Sequence, residues 1–406
     1  MICGLLGQKL GHSYSPQIHR ELSHYTYLLF EKEPEELEDF LRNGDFHGIN
    51  VTIPYKKSVI PFCDTLTEQA QKLGAVNTIV RLPDGSLLGH NTDYFGFRSM
   101  AEKTGVDFAN KKALVLGSGG ASNTVCCVLK ELGAKVIVIS RHGENNYDNL
   151  SMHADCAAIV NVTPVGMYPN TGNAPVDISL FPCLECVMDL IYNPAKTKLI
   201  LDAEARGIPA ENGLWMLVAQ AKESAEHFSS CQIDNQRILQ IYRKLRKQTE
   251  NIILIGMPGC GKSTIGKLLA EKLEKKFADA DSVLEDYAHA TIPYIIHNRG
   301  EAAFRALETK TLSRLGKESG LVIATGGGCV TRAENLPLLR QNGIIIWIQR
   351  DISQLPTNGR PLSQNTDLSK MYEIRKTMYE SFADITVLNN GSPEEAVQSI
   401  LHEVSL

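Results

Sequence analysis

No stretch of this 406-residue sequence stays apolar long enough to cross a bilayer. Its opening, Met1-Ile-Cys-Gly-Leu-Leu-Gly7, has neither a basic lead-in nor the extended apolar core of a secretory signal, and reads as a first β-strand. Charge excess is also missing. The 41 Lys and Arg face 46 Asp and Glu, a net −5 that gives no electrostatic footing for nucleic acid or an anionic membrane. The one basic run, Arg243-Lys-Leu-Arg-Lys247, closes a helical pattern, where positive charge suits the dipole. The 10 cysteines are scattered, and the single Cys183-x-x-Cys186 lacks the second pair or nearby histidine of a zinc module. Such thiols behave as small buried hydrophobes in a reducing compartment, so a cytoplasmic location is expected. There are no internal repeats and no low-complexity tract, which excludes a solenoid.

What is present is an alternation of strand and helix patterns, the signature of α/β architecture with mainly parallel sheets. A chain of 406 residues is too long for one core and fits two or three domains. Two glycine-rich loops of different kinds stand out. Gly256-Met-Pro-Gly-Cys-Gly-Lys-Ser-Thr264 follows the apolar run Ile252–Ile255 and leads into a helical pattern from Ile265. That is the context of a P-loop, whose amides and helix N-terminus face phosphates. Gly259, Cys260, Gly261, Lys262, Ser263 and Thr264 are the expected ATP-phosphate contacts, with Lys262 on the β/γ-phosphates and Ser263 on Mg²⁺.

The earlier loop, Leu114-Val-Leu-Gly-Ser-Gly-Gly-Ala-Ser122, lies between a strand (Lys112–Leu116) and a helix (Ala121–Leu132) and reads as a dinucleotide fingerprint through Gly117, Gly119, Gly120 and Ala121. Ser122 replaces the third glycine and is still small enough for close helix–strand packing. The next strand, Val136–Ser140, ends in Arg141. A cation there, in place of the acidic residue of NAD sites, favours a 2′-phosphate and hence NADP(H), against the pull of Glu144. Residues 1–95 form a first unit and 96–212 a Rossmann unit. Helices in 213–247 complete the first unit, and the polar stretch Arg243–Glu250 links to a second half, 251–406.

Polar residues gather at the ends of apolar segments in the first half. Ser15 suits an N-cap with Pro16 at the first helical position, whereas Ser13 has no such local role. Asp84-Gly85 marks a hairpin that brings Asn77 toward Asp93. The ordered segments His12-Ser-x-Ser-Pro-x-x-His19, Asn50-Val-Thr-x-Pro-x-Lys56, Gly74-Ala-Val-Asn-Thr78, Asn91-Thr-Asp93, Gly117-x-Gly-Gly-Ala-Ser122, Asn161-x-Thr-Pro-x-Gly-Met167, Asp189-Leu-Ile-Tyr192 and Gly213-x-x-Met-Leu-x-x-Gln220 together resemble shikimate dehydrogenase from Gly4 to about Gln220. The resemblance implies Lys56 and Asp93 as catalytic pair. It implies Ser13, Ser15, Thr52, Asn77, Tyr192 and Gln220 as substrate contacts, and Leu190 and Gly213 beside the cofactor. One departure is that the short interval Gly143–Val160 leaves little room for a helix expected in the family.

After the P-loop, no Asp-x-x-Gly or Asn-Lys-x-Asp follows, which argues against a GTPase switch. The segments Phe277-Ala-Asp-Ala-Asp281, Gly300-Glu-Ala-Ala-Phe-Arg-Ala-Leu-Glu308, Ala324-Thr-Gly-Gly-Gly328, Arg360-Pro-Leu362 and Arg375-x-x-x-Tyr379 resemble shikimate kinase over 251–406. The resemblance implies Asp279 supporting the metal, and Asp281 accepting shikimate hydroxyls and acting as base. Arg305 and Arg375 would pair with the substrate carboxylate, Gly327 would give a backbone contact, and Arg360 would sit on a lid over the phosphates. Asp351–Gly359 holds no arginine, so the adenine-stacking arginine expected there is absent.

The fold class expected is therefore α/β: a two-domain dehydrogenase-like unit with an NADP-binding Rossmann domain, then a P-loop kinase domain with a parallel sheet. The expected partners are small molecules, 3-dehydroshikimate and shikimate, with NADPH, ATP and Mg²⁺. Two other readings remain open at this point: a quinate-type dehydrogenase fused to a different small-metabolite kinase, or one half kept as a nucleotide-sensing module.

Overall fold

Each apolar strand run expected from the sequence finds a place in one of three sheets of a computed structural model that describes residues 1–11, 13–355 and 368–404. By packing, the chain forms two units. One comprises 1–165, 174–192 and 202–243; the other comprises 166–173, 193–201 and 244–406.

The first unit holds two sheets. A six-stranded mixed sheet runs Thr26–Glu31, Ile2–Gly7, Gly48–Val51, Thr78–Arg81, Leu87–His90, Thr65–Leu66. Its hairpin is the one marked by Asp84-Gly85, with Thr78 opposite His90 and Gly85 at φ 88°. Leu6, Ile49, Val51, Val76 and Ile79 fill its core. The second sheet has five parallel strands in the order Ala210–Asn212, Cys186–Asp189, Ala158–Asn161, Lys112–Leu116, Lys135–Ile139. Its order reverses between Lys112–Leu116 and Ala158–Asn161, and ligands of open α/β sheets bind beyond the carboxyl ends at such a point.

The short interval after Arg141 carries only a 3-10 turn, Leu150–His153, so the helix found wanting in the sequence is reduced to one turn. Asn145, Asn146 and Asn149 fasten that loop, Asn149 Nδ2 donating to the Glu144 carbonyl and His153 Nε2 lying 3.0 Å from Asn145 Oδ1.

In one place the local reading shifts. Helix Ser15–Leu22 begins at Ser15 with Tyr14 as N-cap, so Ser15 is inside the first turn and does not cap. Its amide instead donates to Ser13 Oγ at 3.2 Å, a local serine turn that competes with capping. The basic run Arg243–Lys247 ends a helix, as expected, and the helix continues two residues further, to Thr249. Helix Gln236–Thr249 runs through it to the edge of strand Asn251–Ile255, because Ile238, Ile241 and Leu245 form a buried stripe and Arg246 pairs with Glu250 at 3.0 Å.

The second unit is built on five parallel strands, Lys276–Asp279, Leu321–Ala324, Asn251–Ile255, Gly343–Gln349, Ile385–Leu388. Central strand Asn251–Ile255 is buried at every position, as a strand covered on both faces should be. The short stretches 166–173 and 193–201, which the sequence groups with 96–212, pack with this unit: Lys196 N donates to the Gln341 carbonyl and Ala195 N to Asn342 Oδ1, both at 2.8 Å. Among the described residues no helix is long and apolar enough to cross a membrane.

Candidate active sites

In the first unit, the Asp84-Gly85 hairpin delivers the chain to helix Asp93–Lys103 with Asp93 in its first turn, where a carboxylate suits the positive helix end. Lys56 Nζ donates to Asp93 Oδ2 at 2.5 Å, the two side chains 25% and 13% exposed. Helix Asp93–Lys103 crosses helix Leu214–Ser229 closely enough that a Cβ on Gly96 would stand 2.8 Å from the Met216 carbonyl. That approach sets Gln220 Oε1 against Thr92 Oγ1 at 3.4 Å. Asn77 Oδ1 accepts from the Thr92 amide at 2.7 Å and Asn77 Nδ2 donates to Thr92 Oγ1 at 3.1 Å. Asn77, Thr92, Gln220 and Asp93 thus form one connected edge beside Lys56.

Ser13 and Ser15 meet through their turn, and Tyr192 lies near them, its ring 5.7 Å from Tyr14. Thr52 is half-buried, its amide held by the Leu6 carbonyl at 2.9 Å. Beneath these residues runs a buried polar floor that the sequence did not reveal. Asn50 Nδ2 donates to Ser224 Oγ at 2.7 Å and to Thr78 Oγ1 at 3.0 Å, Ser224 reaches Thr92 at 2.9 Å, and Tyr27 donates to Asn50 Oδ1 at 2.8 Å. Tyr27 also stacks on His19 at 4.0 Å, and burial pulls His19 down to about 3, so its ring is neutral. The donors and acceptors of this floor come from segments up to 174 positions apart, which no local motif can register.

At the Rossmann switch point, Gly117 takes φ 110°, a conformation only glycine adopts freely. A Cβ on Gly119 or Gly120 would meet nothing within 4 Å, so these backbones face open space before helix Ser122–Glu131. Ala121 is the N-cap and Ser122 is buried in the first turn of the helix. Leu190 N bonds the Asn161 carbonyl and Gly213 N the Ile191 carbonyl, both at 3.0 Å, while Arg141 is exposed at the end of strand Lys135–Ile139. The loop and this cation fit a phosphorylated dinucleotide.

In the second unit the P-loop opens on a cavity of about 660 Å³ lined by Lys262, Ser263, Asp281, Arg305, Gly327 and Arg375 among others. Helix Lys262–Lys272 starts at Gly261, φ 101°, and a buried Lys262 Nζ donates to the carbonyls of Gly256 and Met257 at 2.9 and 3.0 Å. Gly259 and Thr264 line the cavity, whereas the Cys260 side chain is buried in the core. Ser263 Oγ donates to Asp279 Oδ2 at 2.7 Å, a hydroxyl and a carboxylate whose hard oxygens suit Mg²⁺ with its waters. Asp279 ends strand Lys276–Asp279 and caps helix Ala280–Ala288 through the amides of Asp281 and Ser282.

Burial, then the neighbouring Asp279 and Glu308 carboxylates, push Asp281 up to about 6 despite Lys262. Arg305 Nη1 donates to Glu308 at 2.8 Å and Nη2 to Glu301 at 3.2 Å. Arg375 Nη1 and Tyr379 OH both donate to the Gly327 carbonyl, at 3.0 and 2.5 Å. Glu308 and Tyr379, motif residues with no role assigned from sequence, hold the groups beside them, Arg305 and the Gly327 carbonyl. Arg360, and His12 of the first unit, lie outside the described residues.

Over 265 residues, 60% of this chain and 97% of the relative, the sequence is 34% identical to a shikimate dehydrogenase (NADP(+)) of Clostridium perfringens. The chain belongs to the shikimate dehydrogenase family. A second such relative, from Caldanaerobacter subterraneus, is 38% identical over 248 residues, 54% of this chain and 88% of its own length. The family model for the shikimate dehydrogenase substrate-binding domain matches residues 5–79, and the shikimate kinase model matches 258–405.

Among solved structures, a chorismate mutase/shikimate 5-dehydrogenase fusion from Clostridium acetobutylicum superposes with TM-score 0.58 at 39% identity over 61% of this chain and 97% of that one. A shikimate 5-dehydrogenase from Thermus thermophilus, in complex with NADP(H) and shikimate, gives 0.54 at 28% over 60% and 99%. A quinate dehydrogenase from Corynebacterium glutamicum, in complex with NAD, gives 0.55 at 27% over 60% and 99%. The shikimate dehydrogenase part contains the Lys56–Asp93 pair and the glycine loop. The kinase-model part contains the cavity.

Proposed function

We propose that this chain is a bifunctional shikimate-pathway enzyme that reduces 3-dehydroshikimate to shikimate and phosphorylates shikimate to shikimate 3-phosphate. The observation that carries the reading is that a Lys–Asp pair and a dinucleotide loop, in the part shared with shikimate dehydrogenases, occur on one chain with a P-loop cavity holding an Asp–Arg set, in the part matched by the shikimate kinase model. Residues 1–95 with the helices of 213–247 would bind the first substrate, 96–212 the NADP(H), and 251–406 would be the kinase. A cytoplasmic setting suits both activities.

NADPH, when bound, supplies the hydride. As the ketone oxygen becomes an alkoxide, the Lys56 ammonium polarises it and delivers a proton, and Asp93, in contact with Nζ, keeps the ammonium aimed. Ser13, Ser15, Thr52, Asn77, Tyr192 and Gln220 would hold the substrate hydroxyls and carboxylate. The Asn50–Thr78–Ser224 floor fixes the rotamers of that edge. Arg141 favours the 2′-phosphate.

MgATP, when bound, supplies the phosphoryl group. Ser263 and Asp279 are the residues to hold the Mg²⁺. Arg305 and Arg375 present forks to the substrate carboxylate, and Asp281 accepts the proton of the attacking hydroxyl. The test is one coupled assay with 3-dehydroshikimate, NADPH and MgATP, following shikimate 3-phosphate. Turnover of quinate instead of shikimate would favour the quinate-type alternative, and one silent half would favour the sensing module.

Arg141→Asp should lower the ratio of kcat/KM for NADPH to that for NADH by roughly 10- to 100-fold, since it replaces a phosphate-binding cation with an anion. An unchanged ratio would remove Arg141 from the site.

The raised Asp281 sets a pH window. Its carboxyl ionises at 3.8 when free and about 6 here, so the folded state binds the proton more tightly than the unfolded one. The ionised carboxylate is therefore destabilising above about pH 6, and the penalty vanishes below about 4. Kinase kcat/KM for shikimate should fall as pH drops through about 6, because the base is then protonated. Asp281→Asn should stop turnover, retain ATP binding and raise stability by roughly 1–3 kcal/mol at pH 8 but not at pH 4. An acid limb at the ordinary carboxylate range near 4, or no pH dependence of the stability difference, would refute this.

A further inference from the structure

The four cations facing the kinase cavity are not equivalent. Lys262 donates to the carbonyls of Gly256 and Met257, Arg305 to Glu308 and Glu301, and Arg375 to the Gly327 carbonyl. Arg350 lines the same cavity but forms no ion pair among the described residues, and its Nε is withdrawn from solvent without a hydrogen-bond partner. A buried guanidinium N–H without an acceptor is unfavourable, and native structures rarely leave one without reason.

Position narrows the missing acceptor. Arg350 immediately follows strand Gly343–Gln349, which pairs with the central strand Asn251–Ile255. That strand runs hard against the phosphate loop, since a Cβ on Gly256 would stand 2.4 Å from the Ile348 carbonyl. On the other side, Asn389 ties the neighbouring strand end to the same loop, its amide bonding the Gln349 carbonyl at 2.8 Å and its Nδ2 the Cys260 carbonyl at 2.7 Å. Arg350 thus stands where the loop, two strand ends and the cavity meet. The sequence offers no arginine in 351–359 to serve the nucleotide from this side.

We propose that Arg350 is a nucleotide-binding residue of the kinase site, its Nε edge donating to a phosphate oxygen of ATP. The orphaned group is an in-plane donor, which a phosphate oxygen satisfies and the face of a stacked base does not. The proposal rests on the kinase reading above, yet binding tests it without turnover.

The 406-residue chain and its Arg350→Ala and Arg350→Lys variants are titrated calorimetrically with MgADP and, separately, with inorganic tripolyphosphate. Shikimate titration reports that the cavity is intact. Arg350→Ala should weaken both phosphate ligands by about 10- to 100-fold, the range of a charge-assisted hydrogen bond, with Arg350→Lys in between. Dissociation constants within twofold of wild type for both ligands overturn the proposal. A loss seen with MgADP but not with tripolyphosphate overturns it too, and places the side chain on the base. If wild type binds phosphate through Arg350 but never phosphorylates shikimate, the kinase reading fails and this inference stands.

Discussion

Lys56→Ala should reduce kcat/KM for 3-dehydroshikimate reduction by about 10²- to 10⁴-fold, the range of a positioned general acid, while leaving phosphorylation of added shikimate intact. The substitution removes the proton donor and leaves the Asp93 carboxylate, 13% exposed and 2.5 Å from the lost ammonium, without its partner. Most of the loss should fall on kcat, because polarisation of the ketone grows as the alkoxide forms. Steady-state assays of both reactions on the same preparation decide it. Reductase activity within tenfold of wild type, about 1.4 kcal/mol in the barrier, would mean that another group protonates the alkoxide.

Lys262→Ala should in turn lower kinase turnover by at least about 100-fold and spare the reductase, the mirror image of the first result. Two effects combine. The ammonium is lost at the transferring phosphate, and so are its bonds to Gly256 and Met257, which hold the loop closed on itself. Weaker MgATP binding should therefore accompany the loss of rate. This differs from Asp281→Asn, which removes a proton acceptor without touching the loop. Kinase turnover within tenfold of wild type for Lys262→Ala would take the lysine out of the chemistry.

Both nucleotide loops were legible because their signal is local. Gly117, Gly259 and Gly261 sit at positive φ, and each loop lies between a strand and a helix adjacent in sequence. The Asp84-Gly85 hairpin was legible for the same reason. The misjudged place is a contest between local hydrogen bonds. Ser15 lost the capping position to Tyr14 when its amide turned to Ser13, whereas the charged stretch before Asn251 ends the expected helix, with Ile241 and Leu245 buried on it. A polar linker and the solvated face of a helix look alike in sequence until the buried stripe has a partner.

By itself, the sequence determined the α/β class, the order of the two loops and the residue types around each site, since glycine dihedrals, strand runs and motif spacing are properties of neighbouring residues. Tertiary structure alone decided which of those residues meet. It put Lys56 on Asp93, let helix Leu214–Ser229 pass Gly96 closely enough to bring Gln220 and Ser224 to Thr92, and gathered Glu308 beside Asp281. It also assigned 166–173 and 193–201 to the unit of the P-loop, and left Arg350 Nε buried without an acceptor among the described residues. Contacts of that kind depend on where distant segments pack and on what burial does to a charge, and neither is written in any one stretch of chain.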